Sequence, residues 1–362
     1  MRRVSALSVT VALIVAGCSS SGEKATTAAS IPASASAPTS AAPALPDSLA
    51  SAKGWLAYST FVRDHEDRVH LARVNGSQEH EAFPQLKGEV LRAAFSPDGT
   101  RLAVEHRPPN DGPHNVYIGD PDGKNARVIA ECKLGVCGHE YPAWSPDGTY
   151  LATAVTFGRP DGDDPAPESG ISIIDVKTGV ERVILRSPTK EFQQELVHWA
   201  ANGRQLVLYR WRSAPGALLP YEHSPDAQAA VFIVNVDGKG LKRLTDWKAP
   251  CGDPDWSPDG SQIICAAYPP YDFTTAQNGG IYTMKPNGSD LLALMKNDSQ
   301  GLRPGHPRFT PDGKAVLYIG AATPNWDVAP RHLYVLDLAT GHSTPVLTKR
   351  DFYTRPSLQP MP

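Results

Sequence analysis

The chain has 362 residues, with 35 Lys and Arg against 38 Asp and Glu, a formal charge of −3. Near-balanced charge without any basic block disfavours nucleic acid as a partner, because phosphate binding shows as clustered Lys and Arg. The length exceeds a usual single domain, a limit that repeat folds escape because each unit packs on its neighbours.

At the N-terminus Arg2 and Arg3 precede an apolar run, Val4 to Ala16, too short to span a bilayer comfortably, which is the form of a secretory signal. The run ends in Val15-Ala16-Gly17-Cys18, which resembles the bacterial lipoprotein lipobox. That resemblance implies cleavage before Cys18 and lipidation of its thiol. Residues 1–17 are therefore expected to be a lipoprotein signal peptide, with the mature chain anchored on the outer side of the cytoplasmic membrane. Residues 18–48, rich in Ser, Ala, Thr and Pro, bury too little apolar surface to offset the entropy of ordering and read as a disordered tether.

Residues 49–362 read as one repeat domain. AFSPDGTRLAV from Ala94 recurs as AWSPDGTYLAT from Ala143, HWAANGRQLVL from His198, DWSPDGSQIIC from Asp255 and RFTPDGKAVLY from Arg308. The turn glycines Gly99, Gly148, Gly203, Gly260 and Gly313 are 49, 55, 57 and 53 residues apart, a period that points to a solenoid or propeller. Each copy predicts a strand ending at the aromatic residue, a turn and a second apolar strand. A third strand and its turn follow, as in ISIIDVKTG and VFIVNVDG, and then a fourth, as in VERVIL. Four strands per unit without helices predict an all-β propeller. Trp55 to Thr60 and Arg68 to Gly76 supply the second and third strands of a first unit that lacks its own first strand. The segment around Arg355 to Leu358 matches the missing one, so six blades are expected, with the C-terminal strand joining the N-terminal blade and closing the ring.

These copies, with the form PxWSPDGxxLxxx and then IYxxDxxGxxxRLT, resemble the WD-like repeats of TolB-type six-bladed propellers, over about Trp55 to Pro360. The resemblance implies the fold. Its functional implication is broad: proteins with such repeats include an envelope protein that binds other proteins, oligogalacturonate lyases and the non-catalytic domains of prolyl oligopeptidase-type peptidases. No G-x-S-x-G nucleophile elbow occurs, and no peptidase domain is expected.

Ser-Pro-Asp-Gly fits a type I turn, and the fourth copy, Ala200-Ala201-Asn202-Gly203, keeps turn chemistry while abandoning serine and proline. The serine and aspartate are therefore read as scaffold. Phe95, Trp144, Trp199, Trp256 and Phe309 read as packing aromatics between blades.

Strand alternation places the long second-to-third-strand insertions, and the entrances to the first strands, on the face opposite these turns. Three residues before the aromatic stand Arg92, Tyr141, Leu196, Asp253 and His306, with Arg355 at the matching terminal position. One residue before it stand His198, Asp255 and Arg308 among others. With His139 and Glu140 they predict a varied, polar mouth to the central channel. Trp211 and Trp326 are candidate contact residues in the loops, together with Phe157, Tyr221, Tyr268, Tyr271 and Phe273. The acidic run Asp161 to Asp164 lacks an EF-hand spacing and reads as a solvated loop. Cys132, Cys137, Cys251 and Cys265 form an even set, with the local pairings Cys132 with Cys137 and Cys251 with Cys265 favoured over free thiols.

The expected function is an envelope lipoprotein whose propeller, as a monomer without cofactor or metal, binds an envelope protein or a cell-wall polymer. The alternative is a metal-dependent polysaccharide-active enzyme resembling oligogalacturonate lyase, in which mouth histidines hold a cation and a base abstracts a proton.

Overall fold

In the computed structural model the described residues are 54–60, 67–109, 112–132, 137–158, 168–187, 192–212, 228–247, 249, 251–266, 280–296, 302–321, 330–347 and 356–360. Their strands fall into six four-stranded antiparallel sheets, all in one compact unit spanning 43–362. The second blade is β4 (Glu89–Phe95), β5 (Leu102–Arg107), β6 (Asn115–Gly119) and β7 (Arg127–Ala130). The third is β8 (Cys137–Trp144), β9 (Tyr150–Phe157), β10 (Glu168–Asp175) and β11 (Glu181–Arg186). The fourth is β12 (Phe192–Trp199), β13 (Gln205–Arg212), β14 (Gln228–Asn235) and β15 (Lys242–Arg243). The fifth is β16 (Gly252–Trp256), β17 (Ile263–Ala266), β18 (Gly280–Met284) and β19 (Leu292–Lys296), and the sixth β20 (Arg303–Phe309), β21 (Ala315–Ala321), β22 (Arg331–Asp337) and β23 (Ser343–Leu347).

The first blade is assembled from both ends of the chain. Its strands β1 (Trp55–Thr60), β2 (Arg68–Arg73) and β3 (His80–Glu81) are joined by β24 (Ser357–Leu358), which supplies the innermost strand. Ala57 pairs with Ser357 and Leu56 with Leu358. Gln359 fastens the join: its backbone N–H donates to Trp55 O at 2.8 Å, and its side-chain amide donates to Gly99 O at 2.6 Å, in the second blade.

The core is distributed between blades, one apolar cluster at every junction. The third and fourth blades enclose Ile171, Ile173, Trp199, Leu206, Leu208 and Phe232, and the sixth and first enclose Leu317, Ile319, Leu333, Leu56 and Tyr58. Four more clusters fill the remaining junctions, so the ring is closed by the same apolar burial that holds each neighbouring pair. The packing aromatics act as expected. Trp144 and Trp199 each reach back to the preceding blade and donate their indole N–H to Ala94 O and Ala143 O, at 2.9 and 3.0 Å.

The SPDG segments are turns in which the serine is a cap. Gly99 N–H donates to Ser96 O, and Ser96 Oγ accepts from Arg101 N–H at 2.9 Å while donating to Asp98 Oδ1. Gly203 N–H likewise donates to Ala200 O, with Asn202 Oδ1 accepting from Arg204 N–H. The disulfide Cys251–Cys265 is present and joins the start of the fifth blade to β17. Cys132 is also disulfide-bonded, while the Cys137 side chain lies outside the described residues.

A strained bulge and a charged channel mouth

Every innermost strand from the second blade to the sixth breaks register at the same place. Leu91 pairs with Glu105 and Ala94 with Ala103, so Arg92 and Ala93 together face one residue of β5. The same break falls between Glu140 and Ala143, Glu195 and His198, Gly252 and Asp255, and Gly305 and Arg308. Each is a β-bulge, a device that re-aims a side chain. In four of the five its first residue has a left-handed backbone: φ is 51° at Arg92, 55° at Tyr141, 51° at Asp253 and 52° at His306. A non-glycine residue there costs about 1–3 kcal/mol. The chain spends that strain at four equivalent positions on four different polar side chains, where glycine would have served the backbone alone.

On the side of the second and third blades, Arg92 Nη1 lies 2.6 Å from both oxygens of Glu105 and 3.0 Å from Glu140 Oε2. His114 Nδ1 is 2.8 Å from Glu105 Oε1 and 3.6 Å from Glu140 Oε1. Tyr141 donates its backbone N–H to Glu105 Oε2 at 3.2 Å, and the Arg92 guanidinium lies 3.9 Å from the Tyr141 ring centroid. Burial alone would raise the Glu105 carboxyl, but the Arg92 charge, with the hydrogen bond and charge of His114, holds it at about 2. For His114, burial is outweighed in the same way by the carboxylates, and its basicity rises.

Across the channel, Asp253 receives Arg308 Nη2 at 2.7 Å on one oxygen and His306 Nδ1 at 2.6 Å on the other. Burial, then the charges of Arg308, Arg331 and Arg92, push His306 down to about 3. It is therefore neutral at ordinary pH, with Nδ1–H donating to Asp253. His198 Nδ1 lies 3.3 Å from Asp255 Oδ1, and burial raises the Asp255 carboxyl.

Arg92, Glu140, Tyr141, Asp253, His306, Arg308 and His198 are thus placed by the strands expected to carry them. His139 is turned elsewhere: it is fully buried, with Nδ1 3.2 Å from Thr153 Oγ1 and Nε2 3.7 Å from Glu181 on the outermost strand of its blade. Adjacent residues of a strand face opposite sides, so Glu140 and His139 cannot share the mouth. Trp211 is 5% exposed on β13, its indole N–H on Glu195 Oε1 at 3.1 Å, a packing position. Phe157 ends β9 beneath the Arg186 guanidinium. Arg355, Trp326, Tyr221, Tyr268, Tyr271, Phe273 and the run from Asp161 to Asp164 lie outside the described residues.

Sequence reasoning missed Glu105 and His114. The residues that pair just beyond the bulge on the second strands of the third to sixth blades are Ala154, Tyr209, Ala266 and Ile319. Among the described residues of these five blades Glu105 is the only carboxylate in this register, a break in the run RLAVEHR that marks a departure from scaffold. One ligand atom each from Glu105, His114 and Glu140 lie within 4.8 Å of one another, a spacing open to a divalent ion. Arg92 already gives both carboxylates a cation, so an ion would have to displace the His114 proton and share the site with a guanidinium.

No family model matches the chain. It is 30% identical over 173 residues to the uncharacterized peptidase YuxL of Bacillus subtilis, a match to 48% of this chain and 21% of that protein. The chain thus spans about a fifth of that relative's length. Among solved structures it is similar to TolB from Acinetobacter baumannii, with a TM-score of 0.60 and 17% identity over 85% of this chain and 67% of that one. It is also similar to an oligogalacturonate lyase from Vibrio parahaemolyticus, with a TM-score of 0.52 and 14% identity over 81% and 79%. The fold is that of the TolB-type six-bladed propellers.

Proposed function

We propose that this TolB-like propeller is a binding module of the cell envelope, exported, lipid-anchored through Cys18, and presenting the polar channel mouth and its surrounding loops to an envelope protein or cell-wall polymer. The observation that carries the reading is the set of bulges at Arg92, Tyr141, Asp253 and His306. Left-handed backbone at four of the five bulges, carrying four dissimilar polar groups while the fourth blade has Leu196 at the matching position, supports a recognition surface, since packing or folding alone would be served by one residue type. The short turns on the other face repeat one motif and offer no such variety. Residues 1–17 and the sequence around Cys18 support export and anchoring, and the tether would let the ring work away from the lipid surface.

A second reading, a metal-assisted polysaccharide-active enzyme, draws on Glu105, His114 and Glu140. It needs a free base beside a bound cation. Glu105, with its carboxyl held at about 2, is too weak a base for that role, and its charge is committed to Arg92.

Incubating the full-length protein in detergent with cell-wall fragments and uronate oligosaccharides, while assaying bound metal, separates the two. The binding reading expects retention of a ligand or co-purification of an envelope protein, without product. Stoichiometric metal together with unsaturated sugar product would overturn it.

A further inference from the structure

Every second residue of β13 from Leu206 to Arg212 faces the third blade, and the last two of these are arginines. Arg210 is 7% exposed with its Nε wholly enclosed, and among the described residues its guanidinium makes no hydrogen bond and no ion pair. It lies 4.2 Å from the Phe192 ring centroid and 5.5 Å from that of Phe232, and burial lowers its basicity with no carboxylate opposing the shift. Arg212, one row nearer the loop face, donates Nη2–H to the neutral Gln228 Oε1 and stands 5.4 Å from the Trp247 ring centroid. Asp246, 95% exposed, serves Arg243 instead, at 3.9 Å. Two cations thus share one face of the fourth blade with aromatic rings and amides.

Gln194 is the cross-strand partner of Arg210, so the two side chains rise from the same side of the sheet with Cβ atoms about 5 Å apart. Gln194 is 2% exposed and reaches across the junction to the third blade, its backbone N–H on Ser169 Oγ at 2.9 Å and its side-chain N–H on Ser187 Oγ at 2.8 Å. Ser187 gives its own proton to Phe192 O, so it accepts from Gln194, and the orientation of the amide is fixed. Gln194 Oε1 is then left enclosed without a donor. An enclosed donor and an enclosed acceptor stand side by side, and each such group costs about 1–3 kcal/mol.

A water molecule would answer both atoms yet bring no charge, and two guanidiniums on an apolar face call for negative charge. An oxyanion with a hydroxyl beside it satisfies all three: the oxyanion accepts from Arg210 and Arg212, and the hydroxyl donates to Gln194 Oε1. Phe192 and Arg212 are half-buried, so the site opens towards the loop face. We propose that Arg210, Arg212 and Gln194 form a binding site for a hydroxylated oxyanion, a polyol phosphate or a hydroxy acid, at the junction of the third and fourth blades. None of its residues belongs to the channel mouth, so it stands whether or not the mouth is the recognition surface.

The test is isothermal titration of the full-length protein in detergent with glycerol phosphate and with lactate, each compared with its counterpart lacking a hydroxyl, propyl phosphate and propionate. The tighter of the two hydroxylated ligands identifies the oxyanion, and it is expected to bind about fivefold more tightly than its counterpart. Arg210→Met, which removes the charge and keeps the length of the side chain, is expected to weaken binding about tenfold or more. Gln194→Leu is expected to keep the anion dependence and erase the preference for the hydroxyl, a change that loosened packing alone would not produce. Should Arg210→Met not fold, Arg210→Lys, which keeps the charge and loses the fork, decides by a loss of about threefold or more. A wild type that binds neither ligand, an affinity unchanged in the arginine variant, or equal wild-type affinity for hydroxylated and bare anions overturns the proposal.

Discussion

Arg92 and Glu105 form a two-oxygen contact at 2.6 Å across the bulge of the second blade, and the same guanidinium reaches Glu140 of the third. One side chain thus ties a strained backbone to its own sheet and to its neighbour. The two carboxylates differ in burial, Glu105 side chain 0% exposed and Glu140 23%. Removing one partner of a buried pair leaves the other charge uncompensated, whereas a partly exposed pair is screened. Glu105→Gln is therefore expected to lower unfolding free energy by about 3 kcal/mol and Glu140→Gln by about 1 kcal/mol or less. Denaturant titration of both variants measures the difference, and equal losses would contradict it.

The two mouth histidines predict pH effects of opposite sign. His306 is held neutral, near 3 against an ordinary value of 6.5, so its contribution is complete above about pH 7 and is lost as pH falls from 6.5 towards 3. His114 is raised, so its contribution is present below 6.5 and is lost as pH rises through its folded value. Stability of wild type, His306→Gln and His114→Gln at pH 5 and pH 8 tests both signs. The deficit of His306→Gln should shrink by up to about 2 kcal/mol at the lower pH, and that of His114→Gln should grow.

Ring closure predicts that two equivalent turns tolerate mutation differently. Gly99 and Gly148 occupy the fourth position of SPDG turns with φ of 67° and 69°. A Cβ on Gly148 would meet only Pro97 Cδ at 3.8 Å, but one on Gly99 would stand 2.7 Å from Pro360 O, in the segment that completes the first blade. Gly148→Ala should cost about 1 kcal/mol from backbone strain alone. Gly99→Ala should cost about 2–4 kcal/mol, because the added clash pushes on the closing strand. Thermal unfolding of the pair checks this, and equal costs would argue against closure at Gln359 and Pro360.

The architecture was legible because a propeller writes its scaffold repeatedly. The SPDG turns counted blades, and the alternation of β1 and β2 exposed a missing partner that β24 supplies. The mouth was legible in part, since a position three residues before each aromatic can be read by counting. The bulge that aims those side chains was not, because AAFSPDG and PAWSPDG do not announce a two-against-one register. His139 shows the consequence: it stands beside Glu140 in sequence, yet strand alternation sends it to Thr153 and Glu181. Trp211, expected in a loop, instead lies on β13, because that strand runs on to Arg212. Glu105 left a readable sign, a carboxylate inside an apolar run. Arg210 left none, since its burial arises only when the fourth blade packs on the third.

In the proposed function the loop face recognises a partner and the turn face does not. The direct measurement is photo-crosslinking in intact cells from the full-length protein, with a photoreactive residue at Lys87, exposed at the entrance to β4, or at Thr149, exposed on a turn of the third blade. Discrete adducts from Lys87 that vanish in Arg92→Ala, with none from Thr149, are the predicted result. Adducts from Thr149 and none from Lys87 would contradict it.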